Sequence, residues 1–184
     1  NFILIRDRDI RKSVHAAFKR ANAEAALMFP EAKRGQYQNF KLEGILESSL
    51  NICVTCDRDR FGPVVIGRTA NRVMDLFSSV CAVQNLWLAA RVEGVGVGWV
   101  SIVHNRDLEK ILKLPRHVVP IAYLCLGYVT HFPAKPELED AGWLPRLALE
   151  ELVFDGRWGN ECQKTWAELY EAILAQKDTE RTRE

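Results

Sequence analysis

The sequence predicts an α+β domain with helices on both sides of a sheet, and three observations carry that prediction. Segments with helical periodicity are interleaved with short β-branched and aromatic runs rather than sorted into blocks. Residues 118–129, VVPIAYLCLGYV, form a continuous apolar run, as a strand covered on both faces requires. Residues 74–93 carry apolar side chains around nearly the whole helical circumference, so this helix belongs in a core or at a subunit interface. A chain of 184 residues suffices for one well-cored domain and is short for two.

Taken in order, residues 2–6 read as a core strand. They lead to a helix over 9–28, in which Val14, Ala17, Phe18, Ala21 and Ala25 fall at helical spacing and which Pro30 stops. A further helix is expected over 31–47, then a strand over 50–56. A surface loop over 57–69 carries Gly62, Pro63 and Gly67. Gly94 ends the apolar helix as a C′ glycine, and 95–103 continues as a strand. A short helix over 105–112 has Asn105 as its cap. The long apolar strand follows, with Pro120 as its one discordant residue. Residues 131–145 are a proline-containing excursion. A terminal helix over 165–176, with Trp166, Leu169, Ile173 and Leu174 on one stripe, leads into a charged tail over 177–184 that is expected to be disordered.

Composition excludes several classes. Hydrophobic content of 48% with 27% charged residues is that of an ordinary soluble globular protein, and a net charge of +1 leaves no electrostatic footprint for nucleic acid or an anionic membrane. No stretch approaches the roughly 18 apolar residues of a membrane span. Asn1 stands directly before a core strand with no signal peptide in view, so the chain is expected to begin inside a fold. Five cysteines are an odd number, and four lie in apolar or strand-like runs, as reduced core residues of a cytoplasmic protein do. Cys53 and Cys56 have CxxC spacing, but on a strand their side chains point to opposite faces, whereas a redox CxxC opens a helix. The four histidines are scattered, no zinc set is complete, and no metal is assigned.

The stretch Gly94-Val-Gly-Val-Gly-Trp-Val-Ser101 joins a helix to a strand, the reverse of the order a dinucleotide-binding loop needs. Its glycines either permit tight helix-to-strand packing or let backbone approach a flat ligand. The all-round apolar helix points to a homodimer, because a core of this size has few places to hide it.

The pieces Asn1-Phe-Ile-Leu-Ile, Lys41-Leu-Glu-Gly44, Asn51-Ile-Cys-Val-Thr-Cys-Asp57, Gln84-Asn-Leu-Trp-Leu-Ala-Ala90 and Gly94 to Ser101 resemble the nitroreductase-like flavoproteins. Together with the Asp57-Arg-Asp-Arg60 loop, they resemble more narrowly the 5,6-dimethylbenzimidazole synthase branch. The resemblance runs over 1–159, leaving 160–184 as a C-terminal helix and tail. It implies a mixed central sheet flanked by helices and a homodimer with FMN at the subunit interface. The implied reaction is the oxygen-dependent fragmentation of reduced FMN to dimethylbenzimidazole and erythrose 4-phosphate, with dioxygen as co-substrate and an external flavin reductase as a candidate partner. A conventional NAD(P)H-dependent nitroreductase and a non-catalytic flavin-binding protein are the alternatives.

Carried over one at a time, Ser101 occupies the serine near the flavin edge, where a hydroxyl can relay a proton. Gly98, Trp99 and Val100 match the backbone lying along the isoalloxazine. Arg146 matches the basic position that holds the FMN phosphate, which suits a two-pronged guanidinium. Phe40 and Lys41 fall where relatives contact the flavin ring or its pyrimidine oxygens, and Met28 matches a lid residue. The chain has Ala148 where the family often has proline, and it lacks the extra lysine of many nitroreductases. The family's upstream arginine-rich segment and its aspartate lie outside these 184 residues and are expected to precede Asn1 in the full protein.

Overall fold

The computed structural model describes residues 1–161, 165, 167, 168, 170 and 171. They fall into two compact units, Asn1–Phe132 and Pro133–Glu184. The first contains β1 (Phe2–Ile5), α1 (Arg8–Met28), α2 (Glu31–Asn39), β2 (Leu50–Asp57), α3 (Met74–Val92), β3 (Val95–Trp99), α4 (Asn105–Ile111) and β4 (Val118–Tyr128). The second holds a short helix, α5 (Glu137–Asp140), a 3-10 turn (Leu149–Leu152) and an isolated bridge between Phe154 and Glu161.

The strands pair in the order β1-β2-β4-β3, and all three pairings are antiparallel, so among the described strands the expected mixed sheet is antiparallel throughout. Here α1 is followed by α2 and a long loop, so the chain re-enters the sheet at the end where it left. The central strand β4 is covered on both faces, as its sequence requires. On one face Cys53, Tyr123 and Cys125 meet Val14, Ala17 and Phe18 of α1, Leu108 of α4 and Ile45. On the other, Ile52, Val54, Ala122 and Leu124 meet Val83 of α3. Pro120 sits where the ladder shifts register, Val54 facing Ala122 and Thr55 facing Pro120. Its missing N–H therefore falls at a bulge.

Several boundaries differ from expectation. β1 is an edge strand with Phe2 and Leu4 both 52% exposed, so one of its two faces belongs to the core. α1 starts on Asp7, whose carboxylate accepts from the N–H groups of Asp9 at 2.7 Å and Ile10 at 3.1 Å. α2 stops at Asn39 rather than running to 47, because Phe40 turns extended (φ −73°, ψ 134°) and Ile45 drops into the core. β3 ends at Trp99, four residues before the expected limit, as the chain leaves the sheet to reach α4. The cap of α4 is His104, whose side chain makes no capping bond, so Asn105 is the first helical residue and not the cap. Gly94 does terminate α3 in the left-handed region, with φ +71° and its N–H donating to the Arg91 carbonyl at 3.1 Å.

α3 buries only Val83, while Met74, Phe77, Val80 and Leu88 stay exposed. Cys81 on this helix is also exposed, contrary to its assignment to the core. Cys53, Cys56 and Cys125 are buried free thiols, and burial pushes the Cys53 thiol up to about 12, far from a redox nucleophile. Cys162, Trp166, Leu169, Ile173, Leu174 and the tail over 177–184 lie outside the described residues.

Candidate functional site

The three glycines before Ser101 have three different reasons. Gly94 supplies the positive φ of a helix stop. At Gly96 an added Cβ would run into the Val129 side chain and come within 3.4 Å of the Gly127 carbonyl, so this glycine is needed for strand packing. At Gly98 an added Cβ would meet nothing within 4 Å. Gly98 is exposed and stands in register with Cys125, so on that face the edge strand offers bare backbone beside open space. This is the clearance a flat ring needs.

The neighbours of Gly98 are held in place. Trp99 faces the opposite side, in register with Leu124 and packed on the α3 cluster. Val100 is buried at 4% exposure, and its N–H donates to the Tyr123 carbonyl at 2.9 Å. Ser101 follows at once and is exposed, its hydroxyl without a partner among the described residues. A strand serine satisfied by a neighbouring carbonyl is therefore not what the fold contains.

The loop after α2 approaches from the α1 side. Gly44 lies against Cys125, its built Cβ 3.9 Å from that of Cys125, and Cys125 is the register partner of Gly98. The fold thus brings Gly44, three residues after Lys41, to the strand next to Gly98. Phe40 is the half-buried C-cap of α2. Lys41 is exposed, with Nζ 2.5 Å from Glu47 Oε1. That hydrogen bond raises the Lys41 ammonium above its ordinary range and lowers the Glu47 carboxyl below its own, so both stay charged at neutral pH. Any ligand of Lys41 competes with this carboxylate. Met28, the last residue of α1, is 85% exposed and so is not core filler. Arg146 belongs to the second unit, where its exposed guanidinium lies 3.8 Å from Glu139.

Two polar groups under this face were not singled out from the sequence. Asn51 is fully buried, donating through Nδ2 to Ser48 Oγ at 2.9 Å and Cys125 Sγ at 3.3 Å, with Oδ1 unpartnered. Tyr123 is 1% exposed with an unpartnered hydroxyl, and burial pushes its phenol up so that it stays neutral. Both lie in short runs whose residue types signal only a core strand, so no pattern in the sequence marks them.

Two cavities lie away from Gly98 and Ser101. One of about 490 Å³ is lined by His104, Asn105, Arg106, Asp107 and Lys110. The other, of about 440 Å³, lies between the end of β2 and the start of α3, with Thr55, Cys56, Phe61, Arg68 and Met74 among its lining residues. The face at Gly98 is an open shelf within the chain. Among the described residues no group of three or more His, Cys, Asp or Glu could hold a metal ion, and no helix is long and apolar enough to cross a membrane.

Comparison with known proteins agrees with this architecture. The nitroreductase family model matches residues 1–128. The 5,6-dimethylbenzimidazole synthase of Rhodospirillum rubrum is 35% identical over 145 residues, spanning 79% of this chain and 69% of that protein. The enzyme of the same name from Rhodobacter capsulatus is 33% identical over 141 residues, spanning 77% of this chain and 68% of that one. Among solved structures, iodotyrosine deiodinase bound to FMN and 3-iodo-L-tyrosine superposes with a TM-score of 0.59 at 17% identity over 74% of this chain and 71% of that one. Bacillus megaterium NfrA2 superposes with a TM-score of 0.58 at 16% identity, covering 100% of this chain and 67% of that one. These structures share the fold, and with the family model matching residues 1–128 and relatives at 33–35% identity over more than three quarters of the chain, the chain belongs to the nitroreductase family of oxidoreductases.

Proposed function

We propose that this chain fragments reduced FMN with dioxygen, yielding 5,6-dimethylbenzimidazole and erythrose 4-phosphate, as one half of a homodimer. The observation that carries this is the 35% identity to a 5,6-dimethylbenzimidazole synthase over 79% of the chain. The unfilled shelf at Gly98, where bare backbone faces open space, fits the flat ring such a reaction requires. Reduced FMN supplies the electrons that activate dioxygen and is itself the molecule cleaved.

Each residue then has a task. Gly98 gives clearance along the ring, and Trp99 and Val100, anchored on opposite faces of the sheet, hold that strip of backbone flat. Ser101 presents a hydroxyl that can hold or pass a proton at the ring's reacting edge. Lys41 offers a cation to the electron-rich pyrimidine end, and Arg146 offers a two-pronged donor to the phosphate. Phe40 and Met28 supply apolar cover. The second copy covers the apolar side of α3 that this chain leaves exposed at Met74, Phe77, Val80 and Leu88. A separate flavin reductase delivers the reduced flavin.

The test is to mix the protein with FMN reduced anaerobically, admit air and separate the products by chromatography. Dimethylbenzimidazole is the expected product. Recovery of oxidised FMN alone, with turnover of NAD(P)H and a nitroaromatic, would assign the conventional nitroreductase reaction instead.

A further inference from the structure

Residues 40–49, between α2 and β2, form neither helix nor strand, yet Ile45 within them is fully buried. Backbone polar groups in such a segment must find partners. Two carbonyls are met from α1, where Arg11 Nε donates to Ile45 O at 2.8 Å and Arg11 Nη2 donates to Ser48 O at 2.5 Å. His15 is one turn further along the same helical face. Its Nε2 lies 3.8 Å from Glu43 Oε1, and the other oxygen of Glu43 accepts from the Ile45 N–H at 2.6 Å. The sheet adds Asn51 Nδ2 donating to Ser48 Oγ at 2.9 Å. The loop is therefore fastened at Glu43, Ile45 and Ser48, and Gly44 among them rests on the strand partner of Gly98.

A guanidinium is a rigid fork, so two carbonyls bound by one arginine are fixed relative to each other as well as to α1. We infer that Arg11 is a positioning residue: through the Ile45 and Ser48 carbonyls it holds the loop bearing Lys41 beside the Gly98 shelf, and so sets the preference for reduced over oxidised flavin. The inference rests on the flavin reading above. Lys41 interacts more strongly with the electron-rich reduced ring than with the oxidised one, and that difference survives only while the loop is held.

The experiment measures the affinity for oxidised FMN and the midpoint potential of bound FMN in the full chain, in Arg11→Met, Arg11→Lys, Lys41→Met and the double variant Arg11→Met/Lys41→Met. Arg11→Met keeps the apolar stem and removes both donors. It is expected to lose about tenfold in preference for reduced flavin, which lowers a two-electron potential by about 30 mV. Arg11→Lys, with a charge but no fork, is expected to fall between that variant and the parent. The double variant is expected to fall no lower than Lys41→Met, because both act through one contact. A loss of thermal stability with unchanged potential in Arg11→Met would overturn the inference and leave the flavin reading intact. Should Arg11→Met not fold, Arg11→Lys decides, and a folded Arg11→Lys with the parent's potential overturns the inference. A parent that binds neither form of FMN overturns both.

Discussion

α1 and α3 lie on opposite faces of the same sheet and solve the same problem differently. α1 buries Val14, Ala17, Phe18, Ala21 and Ala26 and turns Arg8, Lys12, Lys19 and Arg20 outward, while the half-buried Arg11 binds the loop after α2. Its contribution to the fold is complete within one chain. α3 carries Asp75 and Arg91 as its only charged residues, buries Val83 alone, and leaves apolar residues standing in solvent. Even Asp75 is committed locally, with Arg58 at 3.2 Å and Arg68 at 2.9 Å, which lowers its carboxyl below the ordinary range despite partial burial. The difference teaches that a helix's apolar content measures what it must hide and says nothing of which molecule hides it.

The comparison breaks most visibly at Phe18. Phe18→Ala is expected to cost about 3–5 kcal/mol in denaturant unfolding, the usual loss for a buried aromatic. Phe77→Ala, at a site 50% exposed, should leave the unfolding of a dilute, monomeric chain nearly unchanged. Equal losses for the two would mean that α3 is already covered. Next comes assembly. The parent is expected to sediment as a dimer at micromolar concentration, and Phe77→Asp to sediment as a monomer with its far-ultraviolet dichroism retained, because a charge facing an apolar partner is costly only in the assembled state. A monomeric parent would remove the second copy as the cover for α3.

The same contrast explains what was legible. The α1 stripe was readable because polar and apolar positions alternate at helical spacing, and the two-sided cover of β4 was readable because it lacks alternation. The α2 boundary was not, since Lys41, Leu42 and Glu43 suit a helix, and what stops it is non-local: Ile45 enters the core and Arg11 takes its carbonyl. The Asp7 cap does carry a sequence signal, an aspartate just before a helical pattern. Ser101 and Gly98 stood out by motif, but whether each glycine serves packing or a ligand depends on Val129 and Cys125, which only the register brings alongside. The pairing of Lys41 with Glu47 is likewise a product of the turn between them.

Gly96 and Gly98 sharpen the comparison at smaller scale. Gly96→Ala forces a Cβ against Val129, and overpacking of this kind is expected to cost about 1–3 kcal/mol of stability. Gly98→Ala meets no neighbour, so its unfolding midpoint should match the parent's while FMN binding, followed by flavin fluorescence, weakens. If Gly98→Ala bound FMN as well as the parent, the shelf would not be where the ring lies.

The smallest effect is expected at Lys41 and Glu47, on the loop that the α1 face holds. Glu47 has its carboxyl lowered in the folded state, so its contribution is present above the unfolded carboxylate range and is lost as pH falls through the folded value. Lys41 has its ammonium raised, so its contribution is present below the unfolded lysine range and is lost as pH rises through the folded value. The pair therefore acts across the neutral range and fades at both ends. Being largely exposed at 62% and 58%, it is expected to contribute about 0.2–1 kcal/mol at most and to be screened by salt. Glu47→Gln should accordingly unfold within that margin of the parent at pH 7 and converge with it at low pH. Its larger consequence is for binding: a Lys41 relieved of its carboxylate is free to meet the flavin, so reduced FMN should bind Glu47→Gln more tightly than the parent near neutral pH, with oxidised FMN changing less. Unchanged affinities for both forms would mean that Lys41 does not reach the flavin.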